Sequence, residues 1–184
     1  MGGIIPPIRP NLPGHATDRS PYNTILAELI GVFATSQDRA NILNGFLDYR
    51  AALHQQGLVS GFQWLDGSFL ENIEDLENRP PDDIDVVTFF EIPPGETEAT
   101  LQPAIEDLFD SDYTKANYRV DAYPSVLGTL VNEGRVRHIS YWYSMWSHRR
   151  DGTWKGFVQI DLNPVDDAQC RVQLAQRIAD GFEQ

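Results

Sequence analysis

The sequence predicts an α+β protein: a mixed β-sheet flanked by helices, opened by an N-terminal helical hairpin and closed by a C-terminal helix. Apolar residues recur at helical spacing in four stretches, two of them consecutive before Gly57. Short runs rich in aromatic and β-branched residues lie before and between the other two. The order is helices, strand, strand, helix, strand, hairpin, helix, which builds one sheet with helices packed on it.

The first element is a negative one. Residues 2–19 carry four prolines and three glycines, so residues 1–19 are expected to be extended or irregular. Ser20 then offers a side-chain acceptor and Pro21 a ring suited to a first helical turn, which predicts a helix carrying Ile25, Leu26, Leu29 and Val32 or Phe33. A second helix is predicted from Ser36 to Gly57. Ile42, Leu43, Phe46, Leu47, Tyr49 and Leu53 form its apolar stripe, and Gly57 suits a left-handed cap.

Phe62–Leu65 and Ile84–Phe90 read as strands, and the acidic segment between them, closed by Pro80-Pro81, as a loop. A helix is expected from Thr97 to Phe109 and a third strand over Asn117–Tyr123. Arg135–Trp146 and Lys155–Leu162 read as a hairpin turning at Arg150-Asp151-Gly152, with an amphipathic helix over 165–182 closing the chain.

A length of 184 residues suits one well-buried core better than two, so 1–184 is read as a single domain. No apolar run approaches the roughly 18–20 residues that span a bilayer, and the start lacks the pattern of a secretory signal; no membrane partner is expected. Cys170 is the only cysteine, which excludes an internal disulfide and a thiolate zinc cluster and predicts a cytoplasmic protein. The four histidines show no ligand spacing. A formal net charge of −13 repels duplex DNA. Basic residues do gather between Arg135 and Lys155, enough to meet one anionic ligand.

The chemistry concentrates in Asp66-Gly67-Ser68, a fourteen-residue loop, and Asp83-Ile84-Asp85. Side chains at i and i+2 of a strand share a face, about 7 Å apart, so Asp83 and Asp85 present two carboxylates together. Like charges so placed repel unless a cation lies between them, and a hard, oxygen-liganded ion such as Mg2+ (or Mn2+) answers that need. Gly67 permits close approach of a backbone to phosphate, and the Ser68 hydroxyl can bind it.

Gly67-Ser68 followed by Asp83-x-Asp85 on the next strand resembles the signature of polymerase-β-type nucleotidyltransferases. In particular it resembles the small, minimal branch found among bacterial antitoxins and defence proteins. Nearly the whole chain, including the Pro-rich start, the helical pair and the Arg150-Asp151-Gly152-x-x-Lys155-Gly156 segment, resembles a little-characterised family of about this length in that superfamily. The resemblance implies a nucleotidyltransferase-like fold in which Gly67 and Ser68 hold a triphosphate and Asp83 and Asp85 bind metal. A third carboxylate is implied on a later strand: Asp121, or in the alternative Asp161, which shares the same apolar–Asp–apolar setting. Arg119, Arg150 and Lys155 are then candidates for neutralising the triphosphate. The sequence departs from the minimal proteins in a longer loop after Ser68 and in acidic Glu71, where a basic residue is common.

The implied activity is transfer of a nucleotidyl group from a nucleoside triphosphate to a protein hydroxyl, an RNA end or another nucleotide. A non-catalytic nucleotide-binding or antitoxin-type partner that keeps the fold is the alternative. Each residue also has a plainer reading. Asp82-Asp83-Ile84-Asp85 is compatible with a solvated strand start, Arg150-Asp151-Gly152 with a simple turn, and Tyr141, Trp142, Tyr143 and Trp146 with packing rather than base stacking.

Overall fold

The computed structural model describes residues 3–182. Among them the chain forms a five-stranded mixed open sheet and seven α-helices, an α+β architecture. In chain order these are β1 (Tyr22–Asn23), α1 (Leu26–Phe33), α2 (Gln37–Gln55), β2 (Gly61–Asp66), α3 (Ile73–Glu77), β3 (Ile84–Phe90), α4 (Glu98–Ile105), α5 (Ser111–Tyr118), β4 (Val120–Val126), α6 (Glu133–Trp146), β5 (Val158–Asp161) and α7 (Asp167–Ala179). The strands lie in the order β1-β5-β2-β3-β4. β1 is parallel to β5 and β3 to β4, while β2 runs antiparallel to both of its neighbours.

Residues 3–19 contain no helix; a bridge joins Ile8 to Arg19, and the carbonyls of Gly3 and Ile5 accept the N–H groups of Asn72 and Gly156, while Gly2 lies outside the described residues. The helix expected at Ser20 begins only at Leu26. The reason is tertiary. The Ser20 hydroxyl accepts the Phe157 N–H at 2.8 Å, and the N–H groups of Tyr22 and Thr24 donate to Phe157 and Gln159 across the sheet edge. A chain committed to that edge is extended, and helical pairing starts where it ends.

The second helix follows its local signals. Ser36 accepts from the Arg39 N–H, and beyond the last turn Gly57, at φ +79°, donates to His54 while Leu58 donates to Leu53, the bonds of a Schellman motif. α7 packs on both α1 and α2, and α2 on α5. At that last crossing a Cβ on Gly45 would stand 2.0 Å from the Tyr118 carbonyl oxygen, so only glycine allows the approach.

Three other expectations are corrected. The loop after Ser68 contains a 3-10 turn and the short helix α3, held by Arg39 of α2. That guanidinium grips Glu74 at 2.6 and 2.7 Å and donates to the carbonyls of Phe69 and Glu71. The strand expected from Asn117 starts at Val120, because Asp110 caps a helix through Tyr118 that ends on Arg119 in the left-handed region. Arg135–Trp146 is helical, not a strand, and β5 pairs instead with β1 and β2. Trp142 and Trp146 are four residues apart and lie on the buried side of α6, the first tilted against Tyr123 and the second edge-on to Phe157, while Tyr141 and Tyr143 stay exposed. Burial at helical period overrode the β-propensity of an aromatic run. Arg150-Asp151-Gly152 remains a turn, linking α6 to β5.

The two faces of the sheet differ. Gln63, Val86 and Thr88 face the helical layer; there Arg50 of α2 is buried, clamping Asp167 of α7 through both oxygens at 2.8 Å and bonding Gln63 at 2.7 Å. Trp64, Phe89, Tyr123 and Phe157 face α6 in an aromatic layer. By alternation, Asp66, Asp85 and Asp121 belong to this second face.

Candidate functional site

Strand direction brings the acidic residues to one end of the sheet. β2 ends at Asp66, while β3 and β4 begin beside Asp85 and Asp121. In the pairing register Asp66 lies opposite Asp85, and Asp85 opposite Asp121. With strands spaced about 4.8 Å, this is a row of three aspartates across three adjacent strands. Asp83 stands two residues before Asp85, on the same face. The row borders a cleft of about 680 Å³, whose walls include Gly67, Ser68, Glu71, Lys115, Trp146, Arg149, Arg150 and Lys155.

Gly67 makes the corner between strand and loop. Its φ is +86°, and a Cβ there would stand 2.0 Å from Asp85 Oδ2, so the close fit of the turn against the carboxylate requires glycine. Ser68 follows at the head of the 3-10 turn and lines the cleft.

Burial dominates the electrostatics of the row. It pushes the Asp85 carboxyl up to about 6, with repulsion from Asp83 and Asp121 adding to the effect. Asp83 is raised too, first by burial, with the nearby Lys115 opposing. Asp66 is pushed up to about 7 by burial although Lys155 Nζ lies 3.0 Å from its Oδ1. Lys155 opposes that rise through its charge, and the ion pair only partly offsets desolvation.

Three cations of the cleft, Lys115, Lys155 and Arg149, are already engaged. Lys115 Nζ lies 2.6 Å from Asp121 Oδ2 and 3.6 Å from Asp83 Oδ2. Lys155 is buried between Asp66 and Glu71, each at 3.0 Å. Glu71 uses its other oxygen on Arg149 Nε, also at 3.0 Å, and Arg149 continues to Glu77 at 2.5 Å. The result is an alternating chain of charge, Asp66–Lys155–Glu71–Arg149–Glu77, along one wall.

Asp121 is therefore beside Asp85, whereas Asp161 is not. Asp161 pairs with Phe62 at the other end of β2, is exposed, and accepts the Asn163 N–H at 2.7 Å. Arg119 is exposed and does not line the cleft; its carbonyl accepts the Ile84 N–H at 3.1 Å. Arg150 lies exposed on the cleft wall and Lys155 within it. Asp66, Lys115 and Arg149 also belong to the cleft and were not singled out as site residues. Asp66 carried a readable signal, lying two residues after Trp64 at the end of a strand that stops at Gly67. Lys115 carried none, because its helix reaches the row only through the parallel pairing of β3 and β4.

Among the described residues, no three His, Cys, Asp or Glu side chains stand as a ready cage for a metal ion. The donor set nonetheless suits a hard cation: carboxylate oxygens throughout, with an ammonium standing in as counter-ion between Asp83 and Asp121.

Fold and cleft together define an α+β protein with an aspartate row at one end of a mixed sheet. The chain belongs to a family of unknown function (DUF6932), matched over residues 3–161, a span that contains every residue of the cleft. No curated protein and no solved structure matches it.

Proposed function

We propose that this protein is a nucleotidyltransferase-like enzyme that binds a nucleoside triphosphate with Mg2+ (or Mn2+) in the cleft beside Asp83, Asp85 and Asp121. The observation that carries the reading is the register of Asp85 with Asp121, which sets a third carboxylate beside the Asp83/Asp85 pair and next to the Gly67-Ser68 turn. The resemblance to polymerase-β-type nucleotidyltransferases supports the same assignment of roles.

A bound divalent ion supplies charge neutralisation and polarises phosphate oxygens. Asp83, Asp85 and Asp121 would hold it. The Gly67-Ser68 turn offers backbone N–H groups and a hydroxyl to phosphate, and Arg150 adds charge at the wall. Asp121 is placed to accept a proton from an acceptor hydroxyl, with Ser111 Oγ fixing its other oxygen at 2.7 Å.

One observation favours a second reading, a non-catalytic nucleotide-binding or antitoxin-type partner. Glu71 neutralises Lys155 and Arg149, two of the cations a triphosphate would use. Isothermal titration with ATP, GTP, CTP and UTP, in Mg2+ and in EDTA, separates the readings. Metal-dependent binding that disappears in Asp83→Ala/Asp85→Ala, with incorporation of labelled nucleotide into an acceptor, supports the enzyme. Binding without turnover supports a nucleotide-binding partner, and binding of none of the four sinks the enzyme reading and leaves the antitoxin-type partner that keeps only the fold.

A further inference from the structure

Two side chains of one helix grip the two oxygens of Asp121. Ser111 Oγ donates to its Oδ1 at 2.7 Å, and one turn later Lys115 Nζ meets its Oδ2 at 2.6 Å. The two side chains are four residues apart, on one face of α5. The same ammonium lies 3.6 Å from Asp83 Oδ2, so it bridges the two ends of the Asp83–Asp85–Asp121 group. The Lys115 side chain is 43% exposed, whereas that of Asp121 is 10% exposed. The carboxylate is fixed and the cation has an open path to water.

From this geometry we infer that Lys115 is an exchangeable counter-ion: it neutralises Asp83 and Asp121 in the metal-free protein and is displaced when a divalent cation binds. This deepens the proposed metal site and rests on it. An ammonium and a divalent ion compete for the same two oxygens, because their charges repel across less than about 4 Å. Metal entry therefore breaks the Lys115 contacts and turns a four-methylene stem into solvent, while Ser111 keeps Asp121 in place. The lysine lowers the intrinsic affinity of the site and keeps the carboxylates from repelling one another when no metal is present. It also links metal occupancy to α5, the helix that leads directly into β4.

The experiment is Mn2+ binding followed by electron paramagnetic resonance, with thermal melting in EDTA and in Mn2+, on the wild type, Lys115→Met and Lys115→Gln. Both variants are expected to bind Mn2+ roughly three- to tenfold more tightly, the gain from removing one partly exposed competing charge. They are expected to melt lower than wild type in EDTA and to recover in Mn2+. Equal Mn2+ affinity in wild type and both variants overturns the counter-ion role while leaving the metal site standing. If no form binds Mn2+, the metal site falls and the counter-ion role with it. If only the variants bind, the counter-ion role is supported in its strongest form.

Discussion

Asp85 and Asp121 face each other in register across the parallel β3–β4 pair, yet they are compensated differently. Asp121 has Lys115 and Ser111 on its two oxygens, whereas Asp85 forms no ion pair among the described residues. The uncompensated member is also the one against which Gly67 is pressed. Charge that the fold leaves unsatisfied is thus concentrated at the centre of the row.

That concentration makes stability depend on pH in a defined direction. The Asp85 carboxyl goes from 3.8 in the unfolded chain to about 6 when folded. Below the lower value it is protonated in both states. Between the two, the folded protein keeps a proton that the unfolded chain has released, so stability falls as pH rises, by on the order of 3 kcal/mol in total. Asp66, raised to about 7, extends the decline upward. Urea midpoints measured from pH 4 to 8 should fall across this window, and Asp85→Asn should flatten the curve. A steeper decline in the variant would reject the assignment.

The corner at Gly67 is a second place to press. Gly67→Ala adds a Cβ that meets Asp85 Oδ2 at a residue whose φ is +86°. The backbone term alone costs on the order of 1–3 kcal/mol. Because the displaced group is the central carboxylate, Mn2+ affinity should drop together with melting temperature. Loss of stability with unchanged Mn2+ binding would show that Asp85 is not a ligand.

Glu71 should prove structural in the free protein and obstructive toward anions. It is 5% exposed and joins Lys155 to Arg149. Glu71→Ala leaves the buried Lys155 with Asp66 alone and is expected to cost roughly 3–5 kcal/mol. Saturating ATP with Mg2+ should restore more stability to the variant than to the wild type, as read by urea denaturation with and without nucleotide. Equal stabilisation of both would place the triphosphate away from Lys155 and Arg149.

The elements legible in the sequence are those whose signals are local. Ser36 and Gly57 mark the ends of α2 through bonds made within a few residues. The β-branched and aromatic residues of Ile84–Phe90, interrupted only by Asp85 at the site end, specify a strand buried on both faces, and Thr97 starts α4 with a capping box. The Asp83/Asp85 pair is equally local, since alternation alone puts both carboxylates on one side.

The misread elements are those whose conformation depends on distant partners. Ser20 carries a helix-start signal but is taken by Phe157, 137 residues away. Ile73–Glu77 is too short to show a period and is held by Arg39 from α2. The aromatic run of α6 favours a strand residue by residue, and only a sheet face for Trp142 and Trp146 to cover makes it a helix.

The sequence by itself determined the α+β class, the paired carboxylates and the glycine turn beside them, because each rests on spacing within one element. Which third carboxylate joins the pair was a tertiary decision. Asp121 and Asp161 have the same apolar neighbours, and only the order β5-β2-β3-β4 puts the first next to Asp85 and the second at the opposite end of β2. The same holds for Lys115, Lys155 and Glu71: their charges are plain in the sequence, but pairing energies act over a few ångströms, and those separations exist only once the strands are in register.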